Sequence, residues 1–80
     1  MILAALIACL FRPDPLPDRI HAVTVWAARE YRRGGISPGA YVRLFTARTA
    51  AHRAWYSGSR TAWLLTVRCE AMAVCEMLAR

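Results

Sequence analysis

No lysine, asparagine or glutamine occurs in this 80-residue chain, and all eleven basic residues are arginine. Beside fifteen alanines, the absence of Lys and Asn fits a GC-rich coding sequence, because the codons for both are AT-rich. The missing Gln has no such origin. Whatever its source, the arginine bias has a physical result. Guanidinium groups are planar, donate bidentately and stack on aromatic rings, which suits acidic or phosphate-bearing partners. Acidic groups are scarce as well: five Asp and Glu leave a net charge of +6. That excess points to nucleic acid, an acidic protein surface or anionic lipid. The plain alternative is a solvated basic face.

The three cysteines, Cys9, Cys69 and Cys75, form no CxxC pair. An odd count without a ligand motif argues against a disulfide scaffold or a zinc site. Cys69 and Cys75 share one predicted helix, where their side chains diverge too far to bridge. Reduced, buried thiols of a cytoplasmic protein are expected. No metal or other cofactor is expected.

Long apolar runs are also lacking. Ile2 to Phe11 is the longest, at ten residues, half of the roughly 20 that span a bilayer. No basic stretch precedes it as in a signal peptide, and Leu6-Ile7-Ala8-Cys9 matches a lipoprotein box only loosely. A buried first helix is the preferred reading.

Catalytic patterns are missing too. Asp14 and Asp18 flank a proline segment and read as turn and capping residues. Gly34-Gly35 through Gly39 has neither a P-loop lysine nor dinucleotide-binding spacing, and His21 and His52 belong to no HExxH or local Cys/His pattern. An enzyme is therefore not expected. A helix-turn-helix is a weak match, because the helix after Gly34-Gly35 opens Ser37-Pro38-Gly39-Ala40-Tyr41-Val42 with few base-reading groups.

What is present is helical signal. β-branched runs and strict alternation are absent, so no strand is expected. The chain reads as one domain, 1–80, all-α: a small bundle of three longer helices plus a short apolar N-terminal helix. Residues 1–11 form the apolar helix, and the alternating prolines of 12–17 a stiff linker. Helices follow at 18–33, 38–56 and 60–79. Asp18, Ser37 and Ser59 are the expected N-caps, Pro38 fits the first helical position, and Gly34-Gly35 and Gly58 are the expected stops.

Each face then carries an expectation. On the second helix, Ile20, Val23, Ala27 and Tyr31 share a core stripe, with Arg29, Arg32 and Arg33 opposite. Trp26 lies off that stripe in line with Arg19 and Arg33. It is either an outward stacking surface or packed on a second neighbour with arginines over its edge. On the third helix, Tyr41, Leu44, Phe45, Arg48, His52, Trp55 and Tyr56 fall on one side. Ala47, Ala50, Ala51 and Ala54 lie mainly on the other. Either the aromatic side is core, or the alanines pack and the aromatic side has the composition of an interface hot spot. Arg48 favours partial exposure, or a buried carboxylate partner such as Glu30 or Glu70, because an unpaired buried arginine is costly. On the fourth helix, Trp63, Leu64, Val67, Ala71, Val74, Cys75 and Leu78 form the expected core, while Glu76 and Arg80 form a surface pair.

The functional expectation is a non-catalytic binding protein, an inhibitor or adaptor. Its size, composition and lack of catalytic motifs are common among phage and mobile-element accessory proteins that block a host or defence complex. The expected partner-binding residues are Arg48, His52, Trp55, Tyr41, Trp26, Arg29 and Arg33, facing an acidic protein. Nucleic-acid binding through the same arginines is the alternative, and membrane association through residues 2–11 a second. The apolar first and fourth helices predict a homodimer.

Overall fold

Prolines set the first boundary of the bundle. In the computed structural model, which describes residues 2–79 and their side chains except at 2, 5, 6 and 9, Pro15 precedes helix α2 (Leu16–Arg33) and Pro17 sits inside its first turn. The first-turn N–H groups have no partner within the helix, so proline loses nothing there. α2 thus begins two residues before the expected start. Asp18 is a first-turn residue that opposes the helix dipole rather than a cap.

The stop at Gly34 is as expected. Its φ of 76° is left-handed, and Gly35 N–H reaches Glu30 O at 2.8 Å while Gly34 N–H reaches Tyr31 O at 3.1 Å. This pairing satisfies carbonyls that the last turn otherwise strands. Ser37 caps α3 (Pro38–Tyr56), its Oγ accepting from Ala40 N at 3.1 Å. Gly58, at φ 70°, repeats the glycine stop. Helix α4 (Ala62–Leu78) then starts two residues later than expected, after Thr61 rather than Ser59. Ser59 Oγ instead accepts from Thr61 N at 3.2 Å inside the connecting turn.

The described chain is all-helical, with these three longer helices as its frame. Tyr31 meets Tyr41, and Thr24 meets Arg48, so contacts descend α2 as they ascend α3 and the two helices are antiparallel. α3 lies against α2 and α4, and α4 lies against α2 as well. A nine-residue helical segment, α1 (Ile2–Leu10), rests on α4.

The core between the long helices is built from small residues. Ala27, Ala40, Ala51, Ala54, Ala62 and Ala73 are buried together with Ile20, Val23, Ile36, Leu44, Val67 and Cys69. Alanine lets helix axes approach closely, so bulky side chains are pushed to the rim. This overturns most of the expected core of α4, of which Val67 alone is buried. Trp63, Leu64, Cys75 and Leu78 are exposed there, and the buried face is Ala62, Thr66, Val67, Cys69, Glu70 and Ala73. Tyr31 leaves the expected α2 stripe for the same reason and is exposed. Glu76 pairs with Arg43 at 3.7 Å. Its expected pairing with Arg80, and the setting of the Cys9 side chain, fall outside the described residues.

Candidate functional site

Two of the buried charged side chains meet in one cluster between α2 and α4. Arg19 is buried on α2, and Glu70 is buried opposite it on α4. Arg19 Nε donates to Glu70 Oε2 at 3.0 Å, and its Nη2 donates to Oε1. Arg12, from the segment before α2, adds a 3.3 Å bond to Oε2 and also holds Asp14 at 3.1 Å. Arg19 therefore faces inward and does not flank Trp26 on an outer surface, contrary to expectation. Trp26 itself is half-buried and packs on the cluster of Val23, Ala27, Ile36, Ala40 and Leu44. It joins Arg12, Glu70 and Met77 around a depression of about 150 Å³ between α2 and α4.

A second arrangement lies along the seam of α2 and α3. Tyr31 stacks on Tyr41 with centroids 4.5 Å apart and planes 12° from parallel. Tyr41 contacts Phe45 at 6.2 Å, and the Arg48 guanidinium stands 5.5 Å from the Phe45 centroid. One turn further, His52 meets Tyr56 at 4.6 Å. The helical repeat explains the order, since residues four apart share a face. The seam is thus a row of rings with one cation inside it.

Arg48 is held from the α2 side. Its Nε donates to Thr24 Oγ1 at 2.9 Å, and Thr24 Oγ1 in turn donates to Ile20 O at 3.0 Å. Of the expected carboxylate partners, Glu70 is held by Arg19 and Arg12, and the Glu30 carboxylate lies 3.8 Å from Arg33. Arg48 is half-buried, as is His52. Trp55 is 43% exposed, Phe45 48% and Tyr56 75%, while Leu44, Ala51 and Ala54 are buried. Neither expected side of α3 packs as a whole: Leu44 from the aromatic side and Ala51 and Ala54 from the alanine side are buried together, while Ala50 is exposed.

The expected site residues therefore separate into groups. Tyr41, Arg48, His52 and Trp55 lie on the seam side of α3. Trp26 lies on the far side of α2, towards α4. Arg29 and Arg33 are exposed on α2. Tyr31, Phe45 and Tyr56 are the seam rings that the expected site omitted. The signal for Tyr31 was its place one turn before Gly34, which brings it back over Tyr41 across a short turn.

Carboxylates are almost all engaged: Asp14 with Arg12, Glu30 with Arg33, Glu70 with Arg19 and Arg12, and Glu76 with Arg43. Among the described residues, Arg29, Arg32, Arg53, Arg60 and Arg68 form no ion pair. All five are exposed, so the outer surface is more uniformly positive than the net charge conveys.

The two described thiols differ. Cys75 is exposed, against expectation, and Cys69 is buried. Burial pushes the Cys69 thiol from 9.0 up to about 11, with Glu70 adding to the rise and Arg48 opposing it. A thiol so protonated is a poor nucleophile at neutral pH. Among the described residues no group of three or more His, Cys, Asp or Glu side chains is placed to hold a metal ion. No described helix is long and apolar enough to cross a membrane. Set against known proteins, the chain matches no family model, no curated sequence and no solved structure, so its function is read from its own residues.

Proposed function

We propose that this chain is a non-catalytic protein-interaction module, an inhibitor or adaptor of the phage-accessory kind, that uses its arginine–aromatic surface against an acidic partner. The observation that carries the reading is the consumption of carboxylates within the fold. With Glu30 and Glu70 buried and Asp14 and Glu76 paired, the exposed Arg29, Arg32, Arg53, Arg60 and Arg68 form no ion pair among the described residues. Partly exposed Tyr, Trp and Arg in one place is the composition of a binding hot spot. Long-range attraction between such a surface and an acidic one speeds encounter and sets orientation. Arg48 is already fixed by Thr24 and Phe45, so little side-chain freedom is left to lose on binding.

The test is affinity capture from the native host with the wild-type chain and with an Arg48→Ala/Trp55→Ala variant that keeps its helical circular dichroism. An acidic protein retained by the wild type and lost by the variant is the expected result. Equal retention by both removes the seam from the reading. Recovery of DNA or RNA, with affinity falling steeply as salt rises, replaces the protein partner by a nucleic acid.

A further inference from the structure

We propose that the outward side of α3, next to the seam, receives an amphipathic helix from the partner protein, with carboxylates on both of that helix's flanks. This rests on the reading of the chain as a binder of an acidic protein, and it names the form of the segment that docks.

Three shallow depressions meet on this side of α3, and Thr46 lines all of them. The first, of about 260 Å³, has a floor of Tyr41, Val42 and Phe45. The second, of about 280 Å³, runs along Thr49 and Ala50 to Arg53. The third, of about 300 Å³, crosses towards α4 and ends at Arg43, Arg68 and Met72. The joint surface is thus apolar along its middle and cationic at its margins. Val42 is 61% exposed within this surface.

The polar groups in the middle are already satisfied. Thr46 Oγ1 donates to Val42 O at 2.8 Å and Thr49 Oγ1 donates to Phe45 O at 2.9 Å. Each hydroxyl is turned back onto its own helix. Covering this face therefore strands no donor, and the desolvation cost that opposes burial of polar surface is small. Val42 to Arg53 is three turns, about 16 Å of helix rise, matched by three turns of a docked helix. The short side chains of Thr46 and Ala50 leave a groove between Phe45 on one side and Met72 on the other, the setting for a ridge from a second helix.

Charge selects the occupant. α3 contains no Asp or Glu. Arg53 and Arg68 form no ion pair among the described residues, and Arg43 is met only by Glu76 at 3.7 Å. A second copy laid on this face in a two-fold arrangement brings the same cationic margins together, with no free carboxylate to offset them. A nucleic acid finds few donors in the apolar middle. A helix with an apolar stripe and flanking Asp or Glu satisfies both parts.

The test uses the full chain and two synthetic helices. One is a side-chain-stapled 18-residue peptide with Leu at i, i+3, i+4 and i+7 and Glu on both flanks; the other carries Lys in place of Glu. The Glu helix is expected to shift backbone amide resonances of residues 42–53 and to bind at least tenfold more tightly than the Lys helix. Thr46→Trp fills the point shared by the three depressions without touching the core. It is expected to weaken the Glu helix at least tenfold, as is Arg53→Glu/Arg68→Glu. Equal binding of the two peptides, resonance shifts elsewhere, or no binding overturns the proposal. Self-association that Thr46→Trp abolishes overturns it in favour of a second copy. If the native partner is lost by Arg48→Ala/Trp55→Ala yet retained by Thr46→Trp, the groove is refuted while the acidic-partner reading stands.

Discussion

Arg19 holds Glu70 through two guanidinium donors, with Nε 3.0 Å from Oε2, in the middle of an otherwise apolar packing of α2 on α4. Removing Glu70 takes the carboxylate away from buried Arg19, and removing Arg19 leaves buried Glu70 with Arg12. We expect Glu70→Ala to cost about 3–5 kcal/mol, a large part of the total for a domain of this size. The same change releases Arg12, which ties the proline segment to α4. Arg19→Met/Glu70→Leu is expected to recover most of the loss, because well-packed apolar replacements avoid the desolvation that the pair incurs. Urea titration of the three chains checks both statements.

Local signals in the sequence were sufficient for the long helices and for the turns between them. Gly34, Ser37-Pro38 and Gly58 act within a few residues, so their chemistry is readable without a tertiary structure. The core face of α4 was not readable this way. A periodicity argument ranks faces by bulk and selects Trp63 and Leu64, whereas close packing chose Ala62, Thr66 and Ala73. Glu70 is buried because Arg19 lies across from it, 51 residues away in the chain, and no local pattern encodes that distance. The seam was half-legible. Tyr41, Arg48 and His52 share a helical face, but the Tyr31 stack and the Thr24 bond come from the register of α2 on α3.

Cys69 gives the bundle an alkaline weakness. Its thiol is raised to about 11 in the fold from an ordinary 9.0. Below pH 9 it is protonated in both states and does not alter the balance. Between pH 9 and 11 the unfolded chain loses this proton while the folded chain keeps it, so stability falls as pH rises through that window, by about 2–3 kcal/mol in full. Cys69→Ala is expected to flatten the profile relative to the wild type. In the folded protein at pH 8, iodoacetamide is expected to label Cys75 and spare Cys69 until urea is added, as read by peptide mass.

The cap on α3 is worth measuring because this helix carries most of the candidate surface. Ser37 Oγ accepts from Ala40 N at 3.1 Å. Ser37→Ala is expected to cost about 1 kcal/mol and to speed hydrogen exchange in the first turn of α3. Ser37→Asp is expected to retain the stability, since aspartate caps the same N–H and meets the positive end of the helix dipole.

Self-association is expected through a different surface from the α3 groove. Leu64 is 60% exposed on α4, and Leu3 and Phe11 are more exposed still. A second copy of the chain is expected to cover these exposed apolar side chains. Sedimentation equilibrium is expected to report a concentration-dependent dimer. Leu64→Arg is expected to return it to monomer without loss of helicity, and a wild type that stays monomeric at millimolar concentration contradicts this.

Stability and binding are expected to separate on the seam. Thr24→Val removes the acceptor for Arg48 Nε and is expected to cost about 1 kcal/mol. Arg48 stays stacked by Phe45, so partner affinity is expected to fall only slightly. Trp55→Ala has the opposite profile: the ring is 43% exposed, so its loss is expected to cost under about 1 kcal/mol in folding. Hot-spot tryptophans cost at least about 2 kcal/mol in binding, or some thirtyfold in affinity. Thermal melts and partner titrations on the two variants resolve the difference. A seam that serves only to join α2 to α3 predicts that both measurements move together. A seam that receives a partner predicts that Trp55→Ala is almost silent in the melt and large in the titration.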